Sequence, residues 1–163
     1  MKTALALVAV LAASPIPLTS EPITFVGIGN VKVGSLVSAV ESKLKLKDAD
    51  LSTSDAGCRQ YEVGGDDSLL AMAEDGIVTR VETWNRRYRT ASGARVGDSE
   101  ASVQRLYGHR LEVSEHQYDP AGHYFTIRSK DQKFALVLET DGKRVTSIRA
   151  GRFPSAEYVE GCV

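Results

Sequence analysis

The feature that most constrains the fold of this chain is a residue pattern that occurs twice. Three pairs of segments match in the same order along the chain, and their offset grows slowly from 63 to 67 residues. The pairs are Val31–Val40 with Ala94–Val103, Glu74–Gly76 with Thr140–Gly142, and Thr79–Val81 with Thr146–Ile148. Because the matches keep their order, the pattern predicts a duplicated supersecondary unit.

Each copy of the pattern predicts a short helix followed by antiparallel strands. In the first copy, apolar residues at helical spacing predict a helix from Ser35 to Leu46, with Ser35 as its N-cap. In the second copy, Asp98 or Ser99 caps a helix that Gly108 ends. After each helix the apolar period changes to two, and Asp-Gly pairs predict hairpin turns.

We therefore expect an α+β fold of two tandem repeats, each a short helix packed on a three- or four-stranded antiparallel sheet. The helix covers one face of its sheet, so the other face is solvated, shared with the second repeat or used for binding. The sequence leaves open whether the two repeats form one continuous sheet. The repeats are predicted at residues 21–90 and 91–163.

The first residues predict a secretory signal peptide. Lys2 precedes an apolar run from Ala4 to Ala13, and Ser14–Pro17 then breaks the run. We assign residues 1–20 to this segment, with cleavage between residues 13 and 20; the alternative is a buried N-terminal helix. The apolar run is shorter than the roughly 20 residues that a membrane span needs. Since no Cys follows it closely, we expect neither a lipid anchor nor stable membrane insertion.

Charge and cysteine content narrow the compartment and the partners. The chain has 20 basic and 21 acidic side chains, and loss of Lys2 with the signal peptide leaves a formal net charge of −2. This balance argues against nucleic acid and anionic lipid as partners. The two cysteines, Cys58 and Cys162, predict a disulfide in a periplasmic or secreted protein. A metal or redox pair is the alternative, but no C-x-x-C motif supports it.

The repeated arrangement resembles the β-lactamase inhibitory protein family and the small outer-membrane assembly lipoproteins. The resemblance rests on the V-x-V-G or R-V-G starts at Val31–Gly34 and Arg95–Gly97, on the short helices and on the sheets that follow. It implies a non-catalytic, protein-binding module of the cell envelope that needs no cofactor. Two features differ from these families. The lipobox Cys of the assembly lipoproteins is absent here, and the inhibitors carry more aromatic residues on their binding face than this chain can offer.

One stretch has the composition of a binding surface. It combines the only Trp of the chain with Tyr and Arg, the residue types enriched at interface hot spots. The candidate binding residues, including two from the equivalent end of the second repeat, are Trp84, Arg86, Arg87, Tyr88, Arg89, Arg149 and Arg152. The alternative is a strand between the repeats whose Trp lies in the core and whose arginines are solvated.

Nothing in the sequence predicts an enzyme. No nucleophile motif or metalloprotease motif is present, and His116 and His123 are interpreted as solvated strand residues that give at most two metal ligands. Our first hypothesis is a periplasmic binding or inhibitory protein that acts on another envelope protein through an open sheet face. The second is an envelope structural or assembly factor, and a glycan or small-ligand binder comes third. The partner and the oligomeric state cannot be predicted.

Overall fold

A computed structural model describes residues 17–49 and 57–162 of this chain as an α+β fold dominated by antiparallel strands. Residues 1–16 of the predicted signal peptide lie outside the described residues. The strands are β1 (Gly27–Ile28), β2 (Val31–Lys32), β3 (Leu46–Asp48), β4 (Cys58–Val63), β5 (Asp66–Glu74), β6 (Ile77–Thr83), β7 (Leu111–Glu115), β8 (His123–Arg128), β9 (Phe134–Thr140) and β10 (Val145–Arg152). The helices are α1 (Val37–Glu41) and α2 (Glu100–Tyr107).

Eight of the strands form one continuous antiparallel sheet. Its order is β3-β4-β5-β6-β10-β9-β8-β7, while β1 and β2 form a separate small hairpin. Two meanders of four strands each, β3 to β6 and β7 to β10, therefore meet where β6 pairs with β10. In that junction Thr83 lies opposite Ile148 and Glu82 lies opposite Arg149. The question that the sequence left open, whether the two halves share a sheet, is thus answered.

The two helices differ in how well they match their prediction. For α2 the prediction is confirmed, because the Ser99 side chain accepts a hydrogen bond from the Ser102 N–H and Gly108 ends the helix at a φ of 56°. The prediction of a helix from Ser35 to Leu46 is wrong, since α1 is a single turn from Val37 to Glu41. The Ser35 carbonyl instead accepts a hydrogen bond from the Val78 N–H, and Leu46 already begins β3.

One face of the sheet carries the hydrophobic core. The helices contribute Val40, Val103 and Tyr107 to it, and the N-terminal segment contributes Ile23 and other apolar residues. The strand residues buried against them are Val63, Leu69, Ala71, Val78, Val81, Phe125, Ile127, Leu136, Leu138, Val145, Ile148 and Ala150. Within the part of the chain that the structure describes, neither helix has the length and apolar character needed to cross a membrane.

The C-terminal tail covers part of the opposite face, which we call the second face. A 3₁₀ turn at Ser155–Glu157 lies against β6, β9 and β10. The tail then runs to Cys162, which forms the predicted disulfide with Cys58 at the start of β4. Under the tail, Arg80 and Arg149 are each only 1% exposed. The second face is therefore covered near β6 and β10 and stays more open toward β7.

The disulfide predicts a measurable share of stability. Cys58 and Cys162 are 104 residues apart, so removing their crosslink frees a long loop in the unfolded chain. We expect the double variant Cys58→Ser/Cys162→Ser to unfold with a free energy about 2–5 kcal/mol lower than that of the oxidised protein. Urea unfolding of both proteins measures this difference. Equal unfolding free energies in the two proteins would contradict the prediction.

Candidate functional site

A hollow of about 390 Å³ lies on the second face beside the C-terminal tail. Strands β7 to β10 form its floor, and the 3₁₀ turn forms one wall. Because side chains alternate along a strand, β8 turns Phe125 and Ile127 into the core and leaves Tyr124, Thr126 and Arg128 to line the hollow. The hollow thus follows from strand alternation and from a tail that stops short of β7.

Arg149 lies at the floor of the hollow and holds the tail in place. One of its terminal nitrogens, Nη1, donates to the carbonyls of Tyr158 at 3.1 Å and Val159 at 3.4 Å, and Nη2 lies 3.2 Å from a carboxylate oxygen of Glu139. The guanidinium group also lies 5.4 Å from the Tyr124 ring centre. Its buried Nε has no hydrogen-bond partner among the described residues. Arg149 is therefore a structural anchor under the tail.

Arg80 makes equivalent contacts from the neighbouring strand β6. Its Nη1 donates to the carbonyls of Tyr158 at 2.7 Å and Ser155 at 3.3 Å, and its Nη2 lies 2.8 Å from Glu82. Burial lowers the pKa of Arg80, and the Glu82 carboxylate opposes that effect. Both guanidinium groups therefore exchange hydration for tail carbonyls and one carboxylate each.

Arg128 forms the charged wall of the hollow. Its side chain donates to Glu157 on the tail at 2.6 Å and to Glu112 on β7 at 3.4 Å. The guanidinium group stacks over the Phe153 ring, with 4.3 Å between the guanidinium carbon and the ring centre. Arg128 thus links the edge strand, the floor and the tail, and its charge is already matched by two carboxylates.

Exposed aromatic residues lie beside the hollow, since Tyr118 and Tyr158 line an adjoining hollow that shares Glu157 and Phe153 packs against Arg128. Tyr118 is 60% exposed, Phe153 40% and Tyr158 41%, and Val113 on the edge strand is 52% exposed. The Tyr118 hydroxyl donates a hydrogen bond to Glu160, which joins the loop before β8 to the tail. Sequence reasoning did not select these residues, because they are far apart in the chain and only the course of the tail brings them together. Tyr and Arg around a concavity are typical of protein interfaces.

The candidate binding residues from the sequence do not form one surface. Trp84 is 48% exposed, and Arg86, Arg87 and Arg89 are exposed beside it. Tyr88, in contrast, is only 2% exposed, so its ring is part of the core. Of the alternative interpretation, the arginines are solvated, but residues 84–89 form a turn after β6 rather than a strand, and Tyr88 rather than Trp84 is buried.

The two candidates from the predicted second repeat lie elsewhere. Arg149 is buried beneath the tail, so it cannot extend an exposed patch. Arg152 is exposed, but it lies four residues beyond Ile148, the partner of Thr83. That places it about 13 Å along β10, away from the end of β6 where Trp84 follows. The structure thus does not bring these arginines next to Trp84.

Tyr88 and Asp66 form the polar link that positions the connecting segment. The Tyr88 hydroxyl donates to Asp66 at 2.7 Å, and Arg87 and Ser68 also donate to this carboxylate. Burial alone raises the pKa of Asp66, but the hydrogen bonds from Ser68 and Tyr88 and the charge of Arg87 together hold it below its usual value of 3.8. Burial raises the pKa of Tyr88 most, and its hydrogen bond to Asp66 raises it further.

Both strand histidines are paired with glutamates. The Nε2 of His116 lies 2.9 Å from Glu139, and its Nδ1 accepts the N–H groups of Tyr118 and Asp119 at 3.0 Å each. With a side chain only 10% exposed, His116 is not the solvated residue that we expected. Its backbone contacts explain this, because the ring fixes the turn before β8.

His123, in comparison, is 38% exposed, and its Nδ1 lies 2.8 Å from Glu100 at the start of α2. Thr140 donates a hydrogen bond to the same Glu100 oxygen at 2.6 Å. Among the described residues, no group of three or more His, Cys, Asp or Glu side chains is placed to hold a metal ion. The contacts of Glu100 with His123 and Thr140 join α2 to the sheet.

The comparisons with known proteins concern the fold. The crystal structure of the uncharacterized protein yfeY from Escherichia coli is similar, with a TM-score of 0.51 and 12% sequence identity. The match covers 80% of this chain and 99% of that chain. No protein-family model and no curated protein matches this sequence. The chain therefore shares an architecture with a solved protein that is itself described as uncharacterized.

The Asp66 contact predicts a pH-dependent effect of Tyr88→Phe. Because the folded pKa of Asp66 is lowered, its carboxylate stabilises the fold above about pH 3.8, and this stabilisation disappears as the pH falls through the lower folded value. We expect Tyr88→Phe to cost about 1.5–3 kcal/mol at neutral pH, as for a hydrogen bond to a charged group, and clearly less in acid. Urea unfolding of the variant and the unmodified protein, at neutral pH and in acid, measures this cost.

Tyr107→Phe is the matched control for this prediction. Tyr107 is also a buried tyrosine, but its hydroxyl donates to the neutral Thr90 hydroxyl at 2.8 Å. Its removal should cost about 0.5–1.5 kcal/mol at either pH, because neither partner titrates in that range. A pH-independent cost for Tyr88→Phe, parallel to the control, would show that the Asp66 charge does not contribute.

Proposed function

We propose that this chain is an exported, non-catalytic binding protein that engages another envelope protein through the hollow on the second face and the exposed aromatic residues beside it. One observation carries the proposal. The C-terminal tail covers only part of the second face and leaves this hollow, beside which Tyr118 and Tyr158 line an adjoining hollow that shares Glu157, while the exposed Phe153 packs against Arg128. Exposed aromatic residues grouped around a concavity favour a protein interface over an ordinary solvated surface.

The charged groups near the hollow support binding rather than catalysis. Glu139 is shared between His116 and Arg149, and Arg128 contacts both Glu112 and Glu157. Catalysis needs converging titratable groups that are poised to exchange protons with a substrate. Side chains already paired in this way are better suited to holding a rigid surface. Rigid surfaces lose little conformational entropy when a partner binds.

The proposal includes two tandem repeats, and equivalent hydrogen bonds in the two halves support them. The Gly34 N–H donates to the Val78 carbonyl at 2.7 Å, and the Gly97 N–H donates to the Val145 carbonyl at 2.8 Å. One residue after each acceptor, the strand has a bulge that skips a residue in the pairing with its neighbour. The skipped residues are Thr79 and Thr146, which also match in sequence.

The junction between the halves adds a second line of support. Glu82 and Arg149 are 67 residues apart, the offset that relates Thr79 to Thr146, and they lie opposite each other where β6 pairs with β10. Equivalent strands of two repeats therefore pair about a local two-fold axis, as in a symmetric dimer. A relation to the β-lactamase inhibitory proteins and the assembly lipoproteins remains part of the proposal, since each half runs from a helix or helical turn into antiparallel strands.

Export to the periplasm or beyond is likewise proposed. The apolar run from Ala4 to Ala13 has the layout of a signal peptide, and the Cys58–Cys162 disulfide suits an oxidising compartment. The disulfide also holds the tail that shapes the hollow. An oxidising compartment would thus preserve the binding surface itself.

Two double variants test which surface binds. The mature, oxidised protein is immobilised, captured envelope proteins are identified, and each is purified so that its affinity can be titrated. We expect Tyr118→Ala/Tyr158→Ala to weaken the affinity for the partner by about tenfold or more, since truncating a central aromatic residue at a hot spot costs about 2 kcal/mol or more. The Tyr158 carbonyl that Arg80 and Arg149 bind is retained in this variant.

Trp84→Ala/Arg87→Ala is the matched control, because it also removes one exposed aromatic and one further large side chain. We expect it to change the affinity by less than about threefold, as most interface-distant truncations do. Loss of affinity in the control alone would move the site to the Trp84 segment. If no captured protein binds the purified chain, the proposed function is wrong.

A further inference from the structure

The outer edge of β7 presents a row of backbone groups that no strand of residues 17–49 or 57–162 pairs with. The hydrogen-bond pattern shows which residues provide them. The His116 N–H donates to the Gly122 carbonyl, so even-numbered residues here bond toward β8. In an antiparallel pair the direction alternates. The C=O groups of Leu111, Val113 and Glu115 and the N–H groups of Val113 and Glu115 therefore point away from the sheet, whereas the Leu111 N–H already donates to the Gly108 carbonyl.

This edge differs from the edge at the other end of the sheet. Strand β7 has five residues, and the four from Glu112 to Glu115 are exposed. At the other end, β3 has three residues and carries charges of both signs, with Lys47 and Asp48 each in an ion pair. Only β7 borders the hollow, since Glu112, Val113 and Ser114 line it. A segment added at β7 would therefore also reach the proposed binding surface.

The charge around β7 is acidic. Glu112 and Glu115 lie on the strand, and Glu157 and Glu160 lie on the tail. Arg128 on β8 is paired with Glu112 and Glu157, and His123 on β8 lies opposite Glu115. Arg110, just before β7, lies near the Tyr107 ring on the helix side. A second copy paired through its own β7 would add two more glutamates to this edge. Charge complementarity instead favours a basic segment.

We infer that β7 binds a basic, extended segment of the partner protein as an added ninth strand, with backbone hydrogen bonds to Leu111, Val113 and Glu115. The inference rests on the proposed function and names the chemistry of its partner. Main-chain hydrogen bonds provide the affinity in such strand addition, and alternate side chains provide the specificity. Here the lysines or arginines of the added strand meet Glu112 on the second face, and the residues between them meet Val113 and Glu115 on the opposite face.

The test uses a blocked ten-residue peptide that alternates lysine with threonine or valine, labelled for fluorescence anisotropy. We expect the oxidised protein to bind it, and a charge-reversed peptide with glutamate in place of lysine to bind at least about tenfold more weakly. Val113→Pro removes an N–H that points outward, so the β7–β8 pairing stays intact. It should weaken binding by about tenfold, whereas Val113→Ala should change it by less than about threefold.

Amide hydrogen exchange provides a second readout that a merely unfolded variant cannot imitate. On addition of the peptide, the amides of Val113 and Glu115 should become protected, whereas those of Leu111, Glu112 and Ser114 already have hydrogen-bond partners. If Val113→Pro fails to fold, Glu115→Pro replaces it, because its N–H also points outward. Peptide binding without protection of the Val113 and Glu115 amides would overturn the inference.

Other outcomes separate this inference from the proposed function. A partner that loses affinity in Tyr118→Ala/Tyr158→Ala but binds Val113→Pro normally would leave the hollow as the site and overturn strand addition. Dimerisation of the free protein that Val113→Pro abolishes would replace the basic partner by a second copy. No binding of the lysine peptide at low ionic strength would mean that Glu112 and Glu115 serve to protect the edge from pairing.

Discussion

The shape of the second face depends on two buried guanidinium groups that need acceptors. Arg80 and Arg149 point out of adjacent strands on the side opposite the hydrophobic core, and an isolated charge there costs several kcal/mol if it loses water without compensation. The C-terminal tail supplies that compensation, because the Tyr158 carbonyl accepts hydrogen bonds from both. The Cys58–Cys162 disulfide then fixes the end of the tail. Where the tail lies decides which part of the face is covered and which part is a hollow.

This dependence explains what the sequence could predict and what it could not. Signals confined to a few neighbouring residues were reliable, as for the cap at Ser99 and the helix end at Gly108. The disulfide could be predicted over 104 residues because the chain has only two cysteines to pair. The predicted helix at Ser35 failed because Val78, more than forty residues away, takes the Ser35 carbonyl into the sheet. Local periodicity carries no information about such a competitor.

The candidate site was harder to predict, for a related reason. Tyr88 was selected as a binding candidate by composition and Arg149 by its equivalent position in the second half, but both are buried, Tyr88 with its hydroxyl on Asp66 and Arg149 beneath the tail. The exposed residues beside the hollow, such as Tyr118 and Tyr158, share no sequence motif. They are far apart in the chain, and only the course of the tail brings them together. A pairing partner such as Glu139 for His116 likewise comes from a different strand. Residue types thus indicate that a surface exists, whereas the fold determines where it lies.

Joining the two halves through β6 and β10 has a consequence for the edges of the sheet. The strands at the centre are protected on both sides, and β3 and β7 are left as the termini of the sheet. An exposed edge is a hazard that proteins limit with short strands and charges, and β3 fits that description with three residues and two ion pairs. Strand β7 is longer, carries charge of one sign and keeps the exposed Val113 between its acids. Charge of one sign repels an identical edge and attracts a basic one, so the features that prevent self-association on β7 are also those that would select a partner.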